Sequence, residues 1–361
     1  LTARLSDAFF MYRQDLKIAL SEQAKKLDKI VFFEGLGTLG DKVKRMAQLA
    51  REIAPQVGAD PDLAEQAAKL AKADLVTGMV AEFPKLQGVM GRYYALQQGL
   101  DPAIADAIRD HYKPAGENDT VPTAPVSIAL ALAEKIDTLT GFWAINKKPT
   151  GSKDPFALRR AALGVIQIVL ANKLRLPLHS LNVTPDLLSF FHDRLSVYLK
   201  DKNHQYDHIN AVLLRPDGAL EDDLVLIVNK LTALEAFLKT QDGTNLSAAY
   251  KRATNILKAE QKKSGPIKDS DVRAKLLTAN EEIALHAALE KVSSAVQKDC
   301  AAENFAAAMA QLSTLRGPLD AFFEAVKVND EDAGVRVNRL ALLTGIKQIC
   351  DGVADLGEVE S

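Results

Sequence analysis

The sequence predicts an all-α protein, and three observations carry that expectation. Apolar residues recur every three or four positions through most of the 361 residues, the period of an amphipathic helix. Asp-Pro pairs precede several of these stripes, at Asp60-Pro61 and Asp154-Pro155 among others. Such a pair suits a helix start, because the carboxylate accepts an otherwise unpaired amide and proline has no amide to leave unpaired. No alternation of apolar and polar residues persists beyond a few positions.

Taken in order, residues 1–30 read as amphipathic helix, with Phe9, Phe10, Tyr12 and Leu16 available for packing. The chain begins with Leu, and this segment lacks the short apolar core of a signal peptide. We therefore read it as a piece of a longer protein, whose upstream part is one candidate partner for that aromatic face. The stretch from Phe32 to Gly40 is a turn-rich joint and a candidate domain boundary. Met46, Leu49, Ala50, Ile53 and Val57 then form one stripe, stopped at Pro55–Gly58 and restarted after Asp60-Pro61. The next helix runs through Leu63, Ala67 and Leu70 towards Asp74, and a mixed loop and helix start covers Glu82–Gly91. A helix from Ala103 ends at His111–Pro114, and a loop rich in Gly, Asn, Asp and Pro follows. Ile128, Leu132, Ile136 and Leu139 mark a long helix leading to Trp143.

The segment Pro149–Gly164 reads as a loop breaking sharply into a buried helix, with Leu158, Ala162, Val165 and Val169 at helical spacing. Lys153, Arg159 and Arg160 lie beside its start. Free amides, the positive end of the helix dipole and nearby cations together suit a phosphate. Pairing of the arginines with carboxylates of a neighbouring helix is the alternative.

After Asn172, breaks at Pro177, Thr184-Pro185 and Arg215–Gly218 delimit shorter helices, a small connecting unit. Long helices resume at Leu224. Leu285, Leu289, Val292 and Val296 form one stripe, Phe305, Ala308, Met309, Leu312 and Leu315 the next, and Leu342, Ile346 and Ile349 the last. The expected architecture is two main helical bundles.

Composition is that of an ordinary globular chain: 47% apolar, 25% charged, net charge −2. No apolar run reaches membrane-spanning length. The two cysteines, Cys300 and Cys350, fall at core-like positions and fit buried thiols in a reducing cytoplasm. Near-neutral charge means that any nucleic-acid surface is local. One local excess of Lys and Arg lies between Lys147 and Lys202.

Signals for chemistry are sparse. His204 and His208 stand four residues apart with Asp207 between them, but no third ligand is evident in the sequence. His192-Asp193 has no partner histidine at a useful spacing. A Gly-x-Ser-x-Gly elbow and a Gly-x-x-x-x-Gly-Lys-Ser/Thr loop are both absent. We expect neither catalytic residues nor a metal site here. Two further stretches suggest binding. Tyr250–Leu257 presents Lys251, Arg252 and Asn255, and Val335–Leu343 presents Arg336 and Arg339 three positions apart. Arginine beside asparagine and an aromatic suits single-stranded RNA, through stacking and base-edge hydrogen bonds; a solvated face of ion pairs is the alternative.

Several long motifs resemble the β subunit of bacterial heterotetrameric glycyl-tRNA synthetase. They are Ala73–Phe83, Leu86–Tyr94, Pro149–Gly164 with its Lys153-Asp-Pro-Phe-Ala-Leu-Arg-Arg160 core, Lys251–Leu257, and Phe322–Val328 followed by Arg336–Leu340. The resemblance covers nearly the whole chain, which would be the C-terminal half of that subunit. It implies the tail of a preceding domain over 1–30, a domain over 31–172 similar to the HD phosphohydrolases, a helical linker over 173–223, and a DALR-type anticodon-binding bundle over 224–361. The pattern formed by Phe322, Phe323, Val326, Arg336, Arg339 and Leu340 carries the last of these.

Departures from the pattern matter. The HD ligand positions correspond to Lys42, Ala73-Asp74 and Glu134, so only Asp74 keeps its type and both imidazoles are lost. Glu324 and Lys327 stand where the DALR family more often has Asp and Met. The resemblance implies a cytoplasmic, non-catalytic, tRNA-binding part of a glycine–tRNA ligase, needing no cofactor of its own. ATP and Mg would be used by the α subunit in an α2β2 assembly acting on tRNA-Gly, with no membrane or DNA partner. Lys153, Arg159, Arg160, Lys251, Arg252, Asn255, Arg336 and Arg339 are the candidate tRNA contacts. A metal-dependent phosphohydrolase and a helical protein-binding scaffold are the alternatives.

Overall fold

The computed structural model describes residues 2–265 and 271–360. The chain forms two compact units, Leu1–Leu195 with Asp222–Val225, and Ser196–Glu221 with Leu226–Ser361. Residues 173–223 are thus shared between the two.

The first unit contains helices α1 (Thr2–Asp15), α2 (Leu20–Lys25), α3 (Leu39–Ile53), α4 (Pro61–Leu70), α5 (Gly78–Glu82), α6 (Val89–Gln97), α7 (Pro102–Asp110), α8 (Pro125–Ala144) and α9 (Leu158–Ala171). The division falls within α10 (Pro185–Asp201). Local sequence explains the helix starts. Thr38 and Asp41 form a reciprocal capping box on α3. The Asp60 carboxylate accepts the Asp62 and Leu63 amides at the head of α4, and Asp101 accepts the Ala103 amide ahead of α7. Gly58, at φ 72°, ends the turn after α3 in the left-handed conformation that glycine adopts without strain.

The core sits around α8 and α9. Ile128, Leu132, Ile136 and Leu139 are at most 4% exposed, and Leu158, Ala162, Val165 and Val169 are fully buried. The all-α expectation holds, with a small exception: β1 (Val31–Phe33) and β2 (Gly37–Thr38) pair as an antiparallel hairpin. It occupies the turn-rich joint. Phe33 meets Phe142 at 5.2 Å and Phe156 at 5.1 Å between ring centroids, so this joint is packed inside the first unit. Part of the α1 face also finds its partner locally. Tyr12 stacks on Tyr94 at 5.7 Å, and Asp15 accepts the amides of Gly78 and Met79 and the Tyr94 hydroxyl. Phe9 and Phe10 stay exposed.

The second unit contains α11 (Tyr206–Asn210), α12 (Leu224–Leu238) from Leu226 onward, α13 (Gln241–Ser264), α14 (Asn280–Ala301), α15 (Phe305–Ser313), α16 (Arg316–Ala325) and α17 (Ala333–Asp351). Leu285, Leu289, Val292 and Val296 on α14 are at most 5% exposed. Of the stripe read through Phe305–Leu315, Phe305, Ala308, Met309 and Leu312 lie on α15, and Leu315 is buried in the joint before α16. Asp332 accepts the Gly334 and Val335 amides and starts α17. Tyr250 anchors the following segment by its hydroxyl, 2.7 Å from Asp351 Oδ1 and 2.9 Å from Asp355 Oδ1. Among the described residues no helix is long and apolar enough to cross a membrane.

Candidate nucleic-acid interface

In the second unit, α13, the end of α16, the segment after it and α17 enclose a groove of about 580 Å³. That is within the roughly 300–1,000 Å³ of small-ligand sites. Arg252, Ile256, Glu260 and Lys263 come from α13, where positions three and four apart share a face. Phe323, Glu324, Val326, Lys327 and Asn329 form the facing wall, and Arg336 and Leu340 the floor.

The Arg252 guanidinium lies over the Phe323 ring at 4.3 Å and donates to the Phe323 carbonyl at 3.4 Å. Phe323 is itself buried, so the cation rests on an apolar base. Arg336 is half-buried, and its Nε finds no hydrogen-bond partner among the described residues. An arginine over an aromatic can stack a planar group, and a second arginine beside it can hydrogen-bond the acceptor edge through its outer nitrogens, the Arg336 Nε itself being buried from solvent.

The structure therefore brings Arg252 and Arg336 together in one groove. Lys251 and Asn255 lie one row further round α13, outside its lining. Arg339 is buried behind the wall rather than presented to solvent. Its Nη1 donates to Asp330 at 2.6 Å and to the Lys327 carbonyl at 2.8 Å, and its Nε donates to Glu282. Residue type and spacing do not mark Phe323 or Glu282 as site residues. Phe323 was legible as half of the Phe-Phe pair, but nothing local connects it to Arg252, 71 residues away.

In the first unit the Pro149–Gly164 stretch departs from the phosphate expectation. The helix starts at Leu158, after Ala157 at φ 54°, and the Asp154 carboxylate accepts the amides of Leu158 at 2.8 Å and Arg159 at 2.9 Å. Two amides that an anion would need are already taken by a carboxylate of the chain. Phe156 is stacked on Phe142 at 4.2 Å, so the loop is pinned to the core. The Arg159 side chain bonds the Gly151 carbonyl rather than a carboxylate, while Lys153 and Arg160 are exposed.

The positions aligned with HD ligands hold a different chemistry. Lys42 Nζ is 2.9 Å from Asp137 Oδ2 and 3.5 Å from Glu134 Oε2, Lys72 Nζ is 3.2 Å from Glu134 Oε1, and Arg45 Nε is 2.6 Å from Asp137 Oδ1. Burial by itself would raise the Glu134 pKa, but Lys42, Lys72 and His111 outweigh it and hold the carboxyl at about 2. Asp74 accepts the amides of Gly88 and Gly91. Burial raises its pKa, against the pull of those two amides. Ammonium groups thus surround the carboxylates that a metal would need. His204 and His208 do not share a helix face, because α11 begins at Tyr206; both approach Glu235, at 2.9 and 3.7 Å. His192 is buried and Asp193 exposed, so the pair diverges. No group of three His, Cys, Asp or Glu able to hold a metal occurs among the described residues.

Comparison with known families gives the groove its context. Residues 1–214 match the family described as glycyl-tRNA synthetase beta subunit. The chain belongs to that family. Residues 246–356, which include every residue of the groove, match the DALR anticodon binding domain. Among relatives, the chain is 50% identical to the glycine–tRNA ligase beta subunit of Paracoccus denitrificans (strain Pd 1222), over all of this chain and 54% of that protein. It is 51% identical to the beta subunit of Ruegeria sp. (strain TM1040), again over all of this chain and 54% of the relative. The chain spans about half the length of the glycyl-tRNA synthetase beta subunits it matches.

Proposed function

We propose that this chain is a tRNA-binding part of a glycyl-tRNA synthetase β subunit, engaging the anticodon region of tRNA-Gly through the groove of its second unit. The observation that carries the reading is the Arg252 guanidinium over the Phe323 ring at 4.3 Å, in a groove that Arg336 also lines, inside a DALR domain. An unstacked base would lie against the Arg252–Phe323 plane, with an acceptor edge towards Arg336. Lys251, Asn255, Lys263 and Lys327 would meet the backbone around it, and Lys153 and Arg160 of the first unit would supply separate phosphate contacts. In this reading the chain has no catalytic residue and no cofactor of its own. It positions tRNA for glycylation in the cytoplasm by an α subunit that uses ATP and Mg, in an α2β2 assembly.

Competition between tRNA-Gly and a transcript differing only in its anticodon tests this. Preferential retention of tRNA-Gly, reduced by Arg252→Ala and Arg336→Ala, is expected. Equal affinity for both, unchanged by the substitutions, would sink the assignment. A divergent HD phosphohydrolase is disfavoured because Lys42, at one ligand position, pairs with Glu134 at another and with Asp137, and Lys72 pairs with Glu134.

A further inference from the structure

The wall of the groove from Val326 to Asn329 has no helix or strand of its own. Its backbone therefore needs another source of order. Val326 and Val328 are turned inward, and the Asp330 amide closes a turn on the Val328 carbonyl at 3.0 Å. The Val326 amide donates to the Phe322 carbonyl at 2.8 Å, and a further tether is Arg339. From α17 it reaches the wall at two points, the Lys327 carbonyl and the Asp330 carboxylate. The guanidinium is fixed from behind by Glu282, which also accepts the amides of Thr278 and Ala279 at the head of α14. Arg339 is 9% exposed and Glu282 1%, so this is a buried relay, whereas Asp330 is one-third exposed at its outer end. Hydrogen bonds from the Asp332 amide, then from Arg339, hold the Asp330 carboxyl below the usual carboxylate range.

We infer that Arg339 and Asp330 are positioning residues: their ion pair fixes the wall that presents Lys327 and Asn329 to the groove, so that an acid promotes binding of a polyanion. The inference rests on the RNA-binding reading above and reassigns Arg339 from contact to support. It makes a prediction opposite in sign to bulk electrostatics. Removing a carboxylate beside an RNA groove ordinarily strengthens binding by lowering repulsion. Removing this one frees the wall.

The test uses the full-length protein, with Asp330→Asn compared with Glu331→Gln, the adjacent exposed acid. At fixed salt, Asp330→Asn weakens tRNA-Gly binding by about fivefold or more, a coupling usual for charged neighbours, and Asp330→Glu restores most of it. Glu331→Gln binds as tightly as wild type or tighter. Asp330→Asn adds nothing further in an Arg339→Lys background. Amide exchange read without RNA gives the second arm: exchange at 326–330 accelerates in Asp330→Asn and not in Glu331→Gln. Tighter binding by Asp330→Asn, or unchanged exchange along the wall, overturns the role. If the wild-type protein fails to bind tRNA-Gly at low salt, the RNA reading falls and this role with it. Binding by wild type with no loss in Asp330→Asn removes the positioning role alone.

Discussion

The Lys42 ammonium lies 2.9 Å from Asp137 Oδ2, and both side chains are at most 3% exposed. It also lies 3.5 Å from Glu134 Oε2, an ion-pair distance without a hydrogen bond. A buried pair of this kind is a poor source of net stability, yet losing one partner leaves an uncompensated charge in the core. Lys42→Met should therefore lower the unfolding free energy by about 3–5 kcal/mol, measured by urea denaturation. Stability equal to wild type would mean that water or Arg45 compensates the carboxylates.

Glu134 makes the same cluster sensitive to acid. Its folded pKa of about 2 is below the ordinary 4.5, because Lys42, Lys72 and His111 outweigh the opposing effect of burial. The unfolded chain then binds the extra proton first as pH falls. The stabilisation is complete above pH 4.5 and is lost progressively down to about 2. Glu134→Gln should flatten the pH dependence of stability in that window, and an unchanged acid limb would contradict the pairing.

Asp154 is the third test. Its carboxylate takes the Leu158 and Arg159 amides, so Asp154→Ala should lower stability by about 0.5–2 kcal/mol, the usual range for a lost cap. Lys153→Ala and Arg160→Ala, both at exposed side chains, should leave the unfolding midpoint where it was. A drop for those two and none for Asp154→Ala would reverse the assignment of structural and free groups in this motif.

Much of the fold was legible because helical periodicity is a local property. The stripe from Ile128 to Leu139 and that from Leu285 to Val296 are buried as their spacing implied. The break between Ser313 and Arg316 was not, because the apolar stripe continues through it and Leu315 is buried at the joint. The candidate site was legible only in part, for a similar reason. Residue type marks Arg252, Arg336 and Arg339 alike as candidate contacts. What separates them is their partners: Phe323 for Arg252, none at Nε among the described residues for Arg336, and Glu282 with Asp330 for Arg339. Those partners lie far away in sequence or on the next element, where spacing carries no information. Asp154-Pro155 reads as cap and first turn, but the helix starts three residues later at Leu158, and the carboxylate reaches the Leu158 and Arg159 amides only because Ala157 adopts φ 54°, which no residue-type preference implies.

The central claim, that the groove of the second unit binds RNA, is tested most directly by the tRNA-Gly affinity of wild type and the Arg252→Ala/Arg336→Ala double variant across a salt series. Stacking on an aromatic platform contributes about 1–3 kcal/mol per base, and each lost phosphate contact lowers the steepness of the salt dependence by about one. Wild-type binding is expected to weaken as salt rises, and the double variant to bind at least about tenfold more weakly at every salt concentration. A double variant that matches wild type throughout the series would place the RNA surface elsewhere on the chain.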